Sequence, residues 1–380
     1  AGILLYTIGL IGAAASPNIL TLIAIRAIQG AGAAMMVSLS LSLVTTAFPA
    51  SERGKALGMM ASVAGFGLMV GPALGGLLLD TLGWRSIFWV RAPFALTGFL
   101  VAAAYLRNVR STNDRRIDFL GAGLLFAALV LMAAGLNRGS ADGWNSPIVL
   151  VILPLSVVAL GAFCGRSIRF DSPVVDIRMF RDPALSMAST LMLLAGGAMM
   201  SITFLMPFYL LISRGLPPVT AGLILLTHPA TFIFVPPLAG RLSDRIGPRL
   251  PTTAGLAMLS TTLFLLTQLS PVTPLPVIVG ILALGGVGSS FFQTPNQSVI
   301  MSAAPKGRIG TVSALVPTLR YIGLIIGVVV AEGIFTSGLG SGGLEAADAW
   351  GVAKATKAGF AVFGVVAAFA TVAAVFRGAA

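Results

Sequence analysis

Most of this chain is apolar, so the few polar side chains set inside apolar runs are where chemistry would have to happen. Arg26 lies about eight residues into such a run, roughly 12 Å deep at 1.5 Å per residue. A buried arginine keeps its charge and costs at least ~2.5–3.5 kcal/mol at a bilayer centre, so it is a candidate for function. The alternative is structural: an ion pair, or hydrogen bonds to backbone carbonyls. Gln29 follows one turn later on the same face and could hold Arg26 or bind a substrate. Arg320 lies about ten residues past Gly310, roughly 15 Å along. It either lines a cavity or ties two helices together. Glu332, the only glutamate within an apolar run, could carry a proton if buried. It lies about 33 Å from Gly310, however, near the far surface, where it could be hydrated. His228 is the sole histidine and sits mid-span beside Pro229. An imidazole switches protonation near pH ~6.5, though a lone histidine is also an ordinary packed side chain. One histidine without an acidic cluster predicts no metal site.

A second kind of chemistry is conformational. Gly67, Gly71 and Gly75 recur every four residues, followed by Gly76, within G-L-M-V-G-P-A-L-G-G. The first three share a helix face and would let another helix approach at backbone distance. Pro72 withholds a backbone donor and predicts a bend near residue 68. Further on, Gly240, Arg241, Asp244, Arg245, Gly247 and Arg249 form a compact set between two apolar runs. Asp244 could cap the following helix and pair with those arginines, as a latch or as an ordinary basic loop.

The elements that must position these residues follow from composition. The chain has 380 residues, 57% of them hydrophobic and only 9% charged, with mean hydropathy +0.97. Soluble domains carry about 25% charged residues, so this is an all-α polytopic membrane protein. Spans of about twenty apolar residues fall at 1–15, 19–47, 55–79, 87–106, 119–136, 147–165, 184–212, 219–239, 251–268, 275–300, 310–334 and 358–376. The stretches 137–146 and 335–357 read as external connectors. Cys164 is the only cysteine, which excludes an internal disulfide and a cysteine metal site. The formal charge of +12 is scattered over short loops and does not form a nucleic-acid patch.

With the 51–55 loop cytoplasmic, sixteen of the 24 Lys and Arg residues fall on that side and six on the other. That bias orients the chain with its carboxyl terminus in the cytoplasm. An ungapped repeat appears at an offset of 256. It pairs Gly30 with Gly286, Gly32 with Gly288, Pro49 with Pro305, Gly54 with Gly310, Gly67 with Gly323 and Gly71 with Gly327. Two related halves about a membrane-normal axis are a transporter's architecture. The divisions are 1–107 for a first half, 108–182 for a linker with two extra helices, and 183–380 for a six-helix second half. The repeat mates of the first second-half helices fall before Ala1. About 70 residues and two helices are therefore expected upstream, for a total of fourteen.

Three stretches carry a resemblance. Arg26-Ala-Ile-Gln29-Gly30-Ala-Gly32-Ala-Ala34 resembles R-x-x-Q-G-x-G-A-A, Gly67–Gly76 resembles G-x-x-x-G-P-x-x-G-G, and Gly240–Arg249 resembles G-x-L-x-D-R-x-G-x-R. Together they are similar to the major facilitator superfamily, in its fourteen-helix drug:proton antiporter branch. The Trp84-Arg85 pair, Arg115-Arg116-Ile117-Asp118 and Val175–Arg181 also look like this branch. Arg91 stands where many relatives have a neutral polar residue. The resemblance implies a proton-coupling or cavity role for Arg26 and a gate latch at Asp244. It implies a multidrug exporter in the inner membrane of a bacterium, and a two-half transporter is expected to work as a monomer.

The expected function is export of small amphipathic compounds in exchange for protons, by rocking of two halves. Met35, Met36, Phe66, Met69, Met199, Met200, Phe204, Met206, Phe208, Phe291 and Phe292 are candidates for a pliable cavity wall. The alternative within the fold is a uniporter or symporter for one metabolite. No acid pair, nucleophile arrangement or soluble domain points to an enzyme, and no cofactor is expected. The expected partners are substrate, protons and lipid, and not nucleic acid.

Overall fold

The computed structural model describes residues 1–105, 118–170, 173–304, 309–339 and 348–376. The side chains at 50, 68, 72, 73, 76, 77, 80 and 140–142 lie outside the described set. The basic stretch 108–117 and residues 306–308, which contribute to the charge bias, lie outside it too.

Among the described residues the chain is helix and connecting turns, without strands. In order the helices are α1 (Gly2–Ala15), α2 (Ile19–Ala47), α3 (Arg53–Leu82), α4 (Trp84–Tyr105), α5 (Phe119–Asp142), α6 (Pro147–Arg169) and α7 (Pro183–Phe208). There follow α8 (Pro218–Leu225), α9 (Thr227–Ile246), α10 (Arg249–Leu266), α11 (Leu275–Ser302), α12 (Ile309–Leu339) and α13 (Ala349–Val375). Ten spans are long and apolar enough to cross a membrane, with α8 and α9 forming one of them. Gly2–Ala15 is shorter, and Arg249–Leu266 is the twelfth rod. All twelve expected crossings therefore have a helix. Four starts are set by side chains that accept first-turn N–H groups: Asn18 for α2, Asp118 for α5, Asp182 for α7 and Asp348 for α13.

The structure differs from the sequence reading at several boundaries. The 219–239 run breaks at Leu226 into α8 and α9, just before His228. Helix α9 then continues to Ile246, so the Gly240–Arg249 stretch is mostly helix rather than loop. Only Gly247 (φ +83°) and Pro248 turn the chain before α10. The stretches read as external connectors are largely helical where they are described, 340–347 lying outside the described residues: α5 runs to Asp142, α12 to Leu339, and α13 begins at Ala349, nine residues before the expected start of the last span. Small polar and glycine residues continue these helices because intrahelical bonds satisfy their backbones. The end of α7 widens into a π-turn at Tyr209–Ser213, where the Tyr209 hydroxyl donates to the Ser270 carbonyl at 2.7 Å.

Packing divides the rods. Helix α1 lies on α2 and α4, α5 pairs with α6 and touches α12, and α7 packs against α12 and α13. Helix α10 lies on α11 and α13, while α3 lies on α9. The best-filled core is among α7–α13, where Leu191, Leu205, Met206, Leu259, Phe292 and Phe360 are fully or almost fully buried. Met206 and Phe292, expected in the cavity wall, belong to this core instead. Outward-facing Phe126, Leu150 and Val157 are exposed, as expected of helices whose solvent is lipid.

Candidate functional site

Helices α7, α9, α11 and α12 enclose a cavity of about 350 Å³, closed at one corner by the end of α8. Its wall is Met199, Met200 and Thr203 of α7, His228 and Phe232 of α9, Leu282 of α11, and Arg320 and Leu324 of α12, with neighbouring apolar groups. Two residues singled out separately in the sequence, His228 and Arg320, thus meet in one place. Glycines bring the walls together. A Cβ added at Gly286 would stand 2.7 Å from the His228 carbonyl oxygen, so α11 touches α9 at backbone distance. At Gly196 an added Cβ would lie 3.3 Å from the Arg320 carbonyl oxygen, which fixes α12 against α7 at the arginine.

His228 Nε2 and Ser289 Oγ lie 3.4 Å apart, and the ring is tilted on Phe232 with centroids 5.8 Å apart. Gln293 Nε2 approaches the Met199 sulfur at 3.7 Å. Among the described residues Arg320 has neither a hydrogen-bond acceptor nor an acidic partner, and no Asp or Glu lines the cavity. The wall is therefore greasy and polarizable, with a fixed positive charge and two further polar groups, Thr203 and His228. A wider groove of about 540 Å³ on α5 and α6, beside Arg166 and Arg169, is an open surface feature away from these residues.

At the far end of α9, sixteen residues or about 24 Å from His228, Asp244 reaches across to α3. Its Oδ1 accepts the Gly54 N–H at 3.0 Å and its Oδ2 the Lys55 N–H at 2.9 Å. These are free donors of a helix first turn, where the macrodipole also favours an anion. The expected capping of the following helix is corrected: α10 starts without a side-chain cap. The expected ion pairs of Asp244 with Arg241, Arg245 and Arg249 are also absent among the described residues. Arg241 and Arg245 are exposed, and Arg249 donates to the Val375 carbonyl at the end of α13. Backbone N–H groups held in place by α3 make a better partner than flexible, hydrated arginines.

The same contact corrects the glycine seam. Gly67, Gly71 and Gly75 have no described neighbour within 4 Å of an added Cβ. Pro72 and Gly76 lie within the continuous α3 helix. Close approach is made by Gly54, Gly58 and Gly65. An added Cβ there would meet Gly240, Pro236 and Phe232 of α9 at 2.6, 2.4 and 2.5 Å. Residues 65 and 67 are two apart, about 200° around the helix, so α3 has two glycine faces and α9 occupies the unforeseen one. The period that marked 67–71–75 is present at 54–58 as well, and that was the available signal. Nothing in sequence marked Phe232, which joins the cavity wall to α3.

The remaining candidates lie elsewhere. Arg26 donates to Gln29 Oε1 at 2.8 Å and stands 5.7 Å from the Phe88 ring centroid. It is exposed, outside the cavity. Gln29 is 2% exposed, wedged against Gly9 of α1, with its Nε2 lacking a partner. Its Oε1 is the acceptor of the Arg26 bond. Glu332 is half-buried on α12, twelve residues beyond Arg320, and is not in the cavity.

The fold is thus a helical bundle with an internal cavity and a contact between α3 and α9 at Asp244. The family model for the Major Facilitator Superfamily matches residues 1–328, and the chain belongs to that superfamily. It is 34% identical over 339 residues to the multidrug resistance protein Stp of Mycobacterium tuberculosis, covering 89% of this chain and 63% of Stp. The chain thus spans less than two thirds of that relative's length. It is 29% identical over 339 residues to the riboflavin transporter RibZ of Clostridioides difficile, covering 89% of this chain and 73% of RibZ. The crystal structure of the human organic anion transporter MFSD10 matches with a TM-score of 0.67 at 17% identity, over 98% of this chain and 75% of that one. At that identity it shares the fold.

Proposed function

We propose that this chain works as a proton-driven exporter of small amphipathic compounds, by alternating access, in the fourteen-helix drug:proton antiporter branch. The observation that carries the reading is that one helix, α9, lines the cavity with His228 and Phe232 and latches to α3 through Asp244. A ligand that shifts α9 acts on the cavity and on the closed end together, which is the coupling that alternating access needs. Similarity to Stp supports the drug-export assignment. The α5–α6 pair between α1–α4 and α7–α13 supports the branch and the division into two halves with a linker. The sixteen-to-six charge bias supports a cytoplasmic latch and carboxyl terminus in a bacterial inner membrane. Glu332 and His228 are the proton-carrying candidates, and Arg26 with Gln29 is a further candidate pair on α2, away from the cavity. The protein acts as a monomer.

Everted vesicles holding the full-length protein, energised and loaded with a pH-sensitive dye, test this. Protons should be released when amphipathic compounds of several scaffolds are added. A second reading, one metabolite carried without proton exchange, is favoured by the similarity to RibZ and by the cavity's modest volume. Transport of a single compound without proton release would select it.

A further inference from the structure

We propose that the cavity between α7, α9, α11 and α12 recognises an amphipathic organic anion, with Arg320 binding its carboxylate. The inference rests on the transporter reading above and names its substrate class. Its basis is the contrast between Arg320 and the other arginines at apolar helices. Arg26 rests on Gln29 and the Phe88 ring, and Arg85 on the Ser16 carbonyl and the Trp84 ring. Arg91 rests on Tyr6, Arg166 on Asp118, and Arg214 on the Pro271 carbonyl. Arg320 alone in this set has no acceptor among the described residues.

A guanidinium cannot shed its proton and offers five N–H donors in a planar fork. Unpaired inside an apolar helix it is costly, so an incoming carboxylate supplies what the protein withholds, in the two-pronged geometry that arginine favours. Helix α7 backs against α12 at the Arg320 carbonyl through Gly196, so the arginine backbone is fixed rather than loose. Among the described residues nothing acidic lines the wall. An organic cation would meet one fixed positive charge and no compensating negative one, at low dielectric where repulsion is strong. Thr203 and His228 offer further hydrogen bonds, and Met199, Met200, Phe232 and Leu324 take an apolar body. A cavity of about 350 Å³ lies at the small end of ligand sites, which suits a one- or two-ring compound.

Three matched probes test this on the purified full-length protein in nanodiscs: 4-phenylbutyrate, its methyl ester and 4-phenylbutylamine. The carboxylate should bind about ten-fold tighter than the ester or better, and the amine weakest. Arg320→Gln should abolish that preference while leaving ester binding within about two-fold, and Arg320→Lys should keep part of it. Equal binding of carboxylate and ester by the wild-type protein would overturn the proposal. So would an Arg320→Gln variant that weakens both probes alike, because that result marks a structural arginine. The wild-type comparison decides the matter even where Arg320→Gln fails to fold. Carboxylate preference without proton-coupled transport would count against the antiport reading alone. Proton-coupled transport without charge preference would count against this inference alone.

Discussion

Gly323 and Gly327 on α12 have repeat mates at Gly67 and Gly71 on α3, with the same spacing and 256 positions between them. Their surroundings differ completely. A Cβ on Gly323 would stand 2.5 Å from the Leu193 carbonyl oxygen, and one on Gly327 2.6 Å from Gly197 Cα, because α7 is seated there. At Gly67 and Gly71 the same atom meets no described neighbour within 4 Å. Gly286 presses on α9, while its mate Gly30 is bare. Gly54 is covered by α9, while its mate Gly310 is bare. Yet Gly32 and Gly288, whose neighbours α1 and α10 both precede them, are covered alike. A periodic glycine face therefore marks where a helix fits closely. Occupancy depends on the helices around it, and only the occupied faces hold the fold together.

The contrast can be broken by substitution. The largest effect is expected from Gly323→Leu or Gly327→Leu. The added side chain is driven into α7 backbone, which costs upwards of about 3 kcal/mol of overpacking, and little monodisperse protein should survive detergent extraction. Next is Gly240→Val. Its Cβ would lie 2.0 Å from the Gly54 carbonyl oxygen, so α3 and α9 must separate at that end. Cysteine cross-linking across it should slow several-fold. Asp244→Asn keeps the shape but removes the negative charge facing two N–H groups. About 1–2 kcal/mol of latch is expected to go, raising the open population roughly ten-fold with little change in thermal stability. The smallest effect belongs to Gly71→Ala in this 380-residue chain, within about ±0.5 kcal/mol by thermal melt. A melt as damaged as that of Gly327→Ala would show the bare face to be covered after all.

Much of the scaffold was legible because a bilayer demands long apolar helices. Each of the twelve apolar runs has a helix, ten of them in spans long and apolar enough to cross a membrane; boundaries moved where small residues such as Gly338 and Ala355 continued a helix, and the 219–239 run broke at Leu226. The Asp244 contact was half legible. Asp244 stood out, but its partners are backbone N–H groups 189 and 190 residues away, which no residue type announces. His228 and Arg320 were each visible as interruptions of apolar sequence. Their meeting was not visible, since it depends on which faces α9 and α12 turn inward. Arg26 was marked by its charge and by the family resemblance, with a structural role as the alternative; its immediate environment is Gln29 and Phe88.

The central claim is that the Asp244 contact holds one of two alternating states. Spin labels at Ser51 and Ile246, both exposed, with Cys164 replaced, would report the distance across that contact in the full-length protein. A single short distance is predicted without ligand, with a longer second population appearing in Asp244→Asn and on substrate addition. One distance distribution, unchanged by the substitution, by substrate and by pH, would contradict the account.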